Sequence, residues 1–175
     1  PLKPVLWLKG TKPSLGVITP WPPQHSGVAD YSEFTLPALR EYCDLTIYAA
    51  PETLSTAMPS QRPQLAVPMV RDHDAFLSVL GNSHFHLPML RVLEDAGGAA
   101  LAHDTRMIDL YAHLRGPSGA ASLMNKNGRN FVSDADVSIL HMNIDELGDT
   151  CYWEIAHAAD PLIFHSRIAA ERTAV

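Results

Sequence analysis

Leu15-Gly-Val-Ile-Thr19 is a short run of apolar and β-branched residues that ends abruptly at Pro20-Trp-Pro-Pro23. Such a run reads as a buried strand, stopped by residues that cannot continue a hydrogen-bonded ladder. Gln24-His-Ser-Gly27 follows as a turn of small and polar residues. From there Val28, Tyr31, Phe34, Ala38, Leu39 and Tyr42 recur at steps of three and four, which predicts an amphipathic helix with these residues as its apolar face. Pro37 falls inside it and predicts a kink or a late start. Leu45-Thr-Ile-Tyr-Ala49 reads as a second strand. Strand, small turn, helix, strand is a βαβ unit, whose two strands run parallel through a right-handed crossover. Few features restrict the choice of folds as strongly.

The alternation continues. Ala75-Phe-Leu-Ser-Val-Leu80 is strand-like and stops at Gly81-Asn82. His84 to Glu94 carries helical spacing through Phe85, Met89, Val92 and Leu93, with Gly97-Gly98 as its stop. Ala99-Ala-Leu-Ala102 is a short strand feeding His103-Asp104, and Met107 to Leu114 returns to helical spacing. Residues 116–133, rich in Gly, Ser, Asn and Lys, read as a flexible insertion. Asp134 to Leu147 and Thr150 to Ala159 read as helices, Pro161-Leu-Ile-Phe-His165 as a last strand, and Ile168 to Val175 as the start of another helix. Strands and helices in this order predict an α/β fold, a Rossmann-like doubly wound and mainly parallel sheet.

Composition narrows the function classes. The chain has 175 residues, 46% of them hydrophobic, enough for one domain with a true core. Thirteen Lys and Arg against nineteen Asp and Glu leave a net charge of −6, which argues against nucleic acid as a partner. The two cysteines, Cys43 and Cys151, are too few for a disulfide framework or a Cys-rich zinc site, and read as small apolar fillers in a reducing compartment. No run approaches the roughly 18 apolar residues of a membrane span. The opening Pro1-Leu-Lys-Pro has no Met and no apolar signal stretch, and reads as a cut or processed end.

In doubly wound sheets, ligands bind at the carboxyl ends of the strands. That rule selects three loops: Pro20 to Gly27, Gly81 to His86, and His103 to Arg106. Ser26-Gly27 precedes a helix, so its backbone N–H groups can face a phosphate; the other reading is an ordinary strand-to-helix turn with Ser26 as N-cap. Neither a G-x-G-x-x-G fingerprint nor a P-loop lysine is present, which disfavours dinucleotide and P-loop nucleotide binding. Gly81 and Asn82 suit a tight turn exposing the residues after them, and His84 and His86 either meet a ligand or pack on the helix they begin. His103 and Asp104 close an apolar strand, where ionisable groups cost stability unless paired or used. An imidazole there can hydrogen-bond a substrate hydroxyl or carbonyl.

His84, His86, His103 and Asp104 also invite a metal reading, since H-x-H followed by H-D superficially resembles metal-dependent phosphohydrolases. Those enzymes carry the His-Asp pair on a helix, whereas Ala99 to Ala102 reads as a strand. A Ser or Cys hydrolase finds no G-x-S-x-G elbow. His73, His113, His141, His157 and His165 read as surface or core residues, and the three tryptophans as packing, with Trp21 set apart by its place in a site loop.

Gly16-Val-Ile-Thr-Pro-Trp-Pro-Pro-Gln-His-Ser-Gly-Val-Ala-Asp-Tyr31, followed by Leu36-Pro-Ala-Leu-Arg40 and Leu45-Thr-Ile-Tyr48, resembles the opening of a family-4 glycosyltransferase. Leu80-Gly-Asn-Ser-His-Phe-His86, Ala102-His-Asp104 and Pro161-Leu-Ile-Phe-His-Ser166 resemble that family's later loops and the strand closing its first domain. The resemblance implies the amino-terminal half of a GT-B enzyme, residues 1–175 being one Rossmann-like acceptor-binding domain. The carboxy-terminal nucleotide-sugar-binding domain is absent from this chain, which is then inactive alone. It implies a retaining transfer of sugar from a nucleotide-sugar donor to a saccharide or lipid-linked acceptor, with no metal or other cofactor. By the same resemblance His103 and Asp104 are catalytic, Ser26 and Gly27 approach the donor diphosphate, and Trp21, Asn82, His84 and His86 line the acceptor side. A cytoplasmic site of action follows, with peripheral membrane association left open. The alternative from another class is a non-catalytic module that binds a carbohydrate or a partner.

Overall fold

The computed structural model describes residues 12–49, 60–61, 69–126 and 150–173. It is an α/β Rossmann-like fold with a parallel sheet flanked by helices. Strands β1 (Ser14–Ile18), β2 (Asp44–Tyr48), β3 (Ser60–Gln61), β4 (Ala75–Leu80), β5 (Ala99–Ala102) and β6 (Leu162–Phe164) are joined by helices α1 (Gly27–Leu39), α2 (Leu87–Ala96), α3 (Ile108–Lys126) and α4 (Trp153–Ala158), with α5 (Arg167–Thr173) after β6. The chain divides into two compact units, residues 1–77 and 78–175, and the boundary falls inside β4. The first unit orders its strands β3-β2-β1-β4 and the second β4-β5-β6. Ser14 to Ile18 pair in parallel with Asp44 to Tyr48, and Ala100 to Ala102 with Leu162 to Phe164.

The central strands are apolar on both faces because helices cover both, as a parallel sheet demands. Val17, Ile18, Val79, Leu80, Ala100 and Ala102 are all buried. Pro88 in the first turn of α2 costs no hydrogen bond, and Gly97, at φ +70°, ends that helix by donating its N–H to Leu93 O at 2.8 Å. Cys43 and Cys151 are buried and form no disulfide.

Three local expectations change. Residues 116–126 are helical instead of a flexible insertion: α3 breaks at Gly116 (φ 75°, ψ 166°) and resumes through Pro117. Ala120, Ala121 and Leu123 bury their side chains there, so tertiary packing overrides a composition typical of loops. The helix expected over Asp134 to Leu147 lies outside the described residues. The apolar face expected for α1 is also not the face it buries. Its buried residues are Ala29, Ser32 and Leu36, while Phe34 is 88% exposed and Tyr42, just beyond the helix, 68%. These residues turn inward, and Ser32 Oγ lies 2.7 Å from Thr19 Oγ1, a buried hydrogen bond that fixes the helix's rotation. Pro37 sits within the last turn of α1.

Candidate functional site

The residues expected to carry chemistry fall in both units. Trp21, Ser26 and Gly27 belong to the first, and Asn82, His84, His86, His103 and Asp104 to the second.

In the first unit, β1 ends at buried Thr19, whose N–H donates to Tyr48 O at 3.3 Å. The loop that follows folds on itself, Gln24 N–H donating to Trp21 O and Ser26 N–H to Gln24 O. Trp21 is only 1% exposed, so its side chain belongs to the core and anchors the loop from inside instead of offering a face to an acceptor. Ser26 is the N-cap of α1 in backbone conformation, and its carbonyl accepts from Ala29 and Asp30, but its hydroxyl makes no capping hydrogen bond. Gly27 opens onto free space: a Cβ there would meet nothing within 4 Å. Gln24 Oε1 is buried without a hydrogen-bond partner among the described residues, an unmet demand at the head of the helix.

In the second unit, two expected acceptor residues prove structural. Asn82 is a cap supplied across the fold, its Oδ1 accepting from Asp109 N–H at 2.8 Å and Leu110 N–H at 3.1 Å, at the start of α3. Its Nδ2 donates to the Asp109 carboxylate, and its backbone N–H to Asp104 Oδ2 at 2.6 Å. His86 is 1% exposed, with Nδ1 3.1 Å from Val79 O, so the ring donates there. Burial lowers its proton affinity. Gly81 permits this packing, since a Cβ on it would lie 2.6 Å from His86 Nε2. His84 is exposed, its ring 4.1 Å from Phe85 and 5.3 Å from His113 between centroids. Part of its ring is therefore open to solvent. Truncating Asn82 to Ala leaves two helix amides without an acceptor and is expected to cost about 1–2 kcal/mol, read as a lower thermal midpoint.

His103 and Asp104 stand just past β5. His103 N–H donates to Leu80 O at 2.9 Å, which continues the sheet pattern by one residue. Its ring is partly buried and meets His165: Nε2 of His165 lies 3.2 Å from His103 Nδ1, with centroids 4.3 Å apart. Burial first, then the His165 and His86 rings, lower the His103 pKa to about 4, against a smaller opposing pull from Asp104. Near neutral pH this imidazole is thus uncharged, with one donor and one acceptor nitrogen. Asp104 is exposed; its carboxylate holds the Asn82 amide and its carbonyl accepts from Tyr152 Oη at 2.6 Å. The loop after β5 is therefore clamped from two sides.

His165 was not singled out by sequence reasoning. The sequence does show a histidine directly after each of β5 and β6, but only the pairing of Ala102 with Phe164 stands the two side by side. His84, His86, His103 and Asp104 do not converge as a ligand set, and no group of three or more metal-ligating side chains is gathered among the described residues. No family model matches this sequence, and neither a curated protein nor a solved structure matches it. Among the described residues no helix is long and apolar enough to cross a membrane.

Proposed function

We propose that this chain is the amino-terminal, acceptor-binding domain of a retaining glycosyltransferase, moving a sugar from a nucleotide-sugar to a saccharide or lipid-linked acceptor in the cytoplasm. The observation that carries the reading is His103, an uncharged imidazole held at the carboxyl end of a parallel strand with a second histidine against it. A neutral imidazole offers a fixed hydrogen bond to a sugar hydroxyl and adds no positive charge beside a developing oxocarbenium ion, which a protonated one would oppose.

The head of α1 supports the donor side. When the bond from the anomeric carbon to the diphosphate breaks, negative charge grows on the leaving oxygen, and helix N–H groups stabilise it. Ser26 leaves that helix end without a side-chain cap, and Gly27 leaves it sterically open. A Leu at Gly27 is expected to leave the thermal midpoint unchanged while weakening binding of a nucleoside diphosphate at least tenfold, measured by calorimetry on the protein that carries both domains. Equal affinity would remove this loop from the donor site.

Sugar transfer tests the whole reading. The protein that carries this domain is incubated with UDP-glucose, UDP-N-acetylglucosamine or GDP-mannose and a panel of oligosaccharide and polyprenyl-phosphate sugar acceptors. Transfer that keeps the anomeric configuration supports it. Saturable saccharide binding without transfer from any donor favours the non-catalytic module. Metal-dependent phosphate release without transfer overturns both.

A further inference from the structure

The outer surface of α1 has the wrong chemistry for a solvated face. Phe34 is 88% exposed, Tyr42 68% and Tyr31 38%, and Ala38 is exposed between them. Tyr31, Phe34 and Ala38 lie one turn apart in sequence, and exposed Tyr42 follows in the turn just past the helix end. The helix meanwhile turns Ser32 inward to bond Thr19. A helix that places serine inside and phenylalanine outside is not minimising its exposed apolar area, and contiguous exposed aromatics mark interaction sites.

Acidic side chains outnumber basic ones beside this row. Within residues 27–39 the only charged side chains are Asp30 and Glu33, and Glu41 and Asp44 follow. Arg40 stands among them, and Lys12 donates to its carbonyl at 2.7 Å. We infer that this face docks a segment of another protein that is apolar along one side and carries lysine or arginine beside it. Aromatic rings supply the contact area, and the carboxylates select basic flanks by complementarity. A second copy of the chain would bring Asp30 and Glu33 against their own kind, and an anionic bilayer would be repelled by the same carboxylates. The inference is independent of sugar transfer.

The probe is a fluorescein-labelled helical peptide of about 18 residues with leucines on one face and lysines on the other, compared with its leucine–glutamate counterpart. Binding is followed by anisotropy for the wild type, Phe34→Ser, Glu33→Lys and the Phe34→Ser/Tyr42→Ser pair. These sites are exposed, and circular dichroism checks that the variants are folded. The expected result is micromolar binding of the lysine peptide, at least tenfold weaker in Phe34→Ser, several-fold weaker in Glu33→Lys, and at least tenfold weaker for the glutamate peptide. Amide shifts on binding should concentrate in residues 27–42. Equal binding by Phe34→Ser, shifts elsewhere, or a preference for the glutamate peptide overturns the inference. So does a dimer in sedimentation, or binding to phosphatidylglycerol-containing vesicles, that Phe34→Ser abolishes.

Discussion

Replacing His103 by alanine is expected to slow sugar transfer about 100- to 1000-fold while leaving the protein folded. On the proposed function, the imidazole supplies a directional hydrogen bond where the sugar reacts, and alanine cannot replace it even through water without losing orientation. Folding is spared because the N–H that His103 donates to Leu80 O is one that alanine keeps. His165→Ala is expected to act less, through loss of ring positioning, and to move the pH profile. With the His103 pKa near 4, the neutral form persists through mild acid, so activity should fall only as pH approaches 4 instead of near 6.5. Removing His165 takes away one of the causes that lower that pKa and should shift the acid limb upward. Stability follows the same linkage with a definite sign. A histidine whose folded pKa is depressed leaves stability intact above about 6.5, and stability is lost as pH falls from there towards 4 because the unfolded chain takes up the proton first. His103→Ala should soften that loss. Turnover unchanged in His103→Ala would end its assignment to the chemistry.

Gly16→Ala is expected to destabilise the fold by about 2–3 kcal/mol, a drop in thermal midpoint of roughly 6–10 °C. Gly16 lies in β1, and a Cβ there would sit 2.5 Å from Phe76 Cδ2 and 2.6 Å from His73 Cδ2. Both rings are held by neighbours. Phe76 is 4% exposed and packs on Tyr48 at 5.6 Å between centroids, and Tyr48 Oη lies 2.9 Å from His73 Nε2. The added methyl must push a three-ring cluster off its hydrogen bond. Gly27→Ala is the matched control, because a Cβ there meets nothing. Combining Gly16→Ala with Phe76→Leu should recover part of the loss, since leucine vacates the space of the ring edge. A thermal midpoint for Gly16→Ala equal to the wild type would show that the ring cluster gives way freely.

Much of the fold was legible because its signals are local. β-branched runs closed by proline or glycine marked β1, β2 and β4, and the structure places all three within a residue or so of those runs. Ala99 to Ala102 and Leu162 to Phe164 were readable as short apolar runs. Residues 116–126 were not, because Gly116 and Pro117 carry the signature of a loop while the burial of Ala120, Ala121 and Leu123 is decided by what packs on them. The candidate site divided in the same manner. The position of His103 and Asp104 at a strand end followed from the pattern, but the partnership of His103 with His165 required the register of two strands sixty residues apart.

The amino-acid order by itself determined the alternation of strand and helix, and hence a parallel doubly wound sheet, because period and punctuation act within a dozen residues. Only the tertiary structure decided which side chains remain available. It drew Trp21 and His86 into the core, and spent Asn82 on capping α3. It also turned the aromatic row of α1 outward, because burial and long-range hydrogen bonds are settled by neighbours distant in sequence.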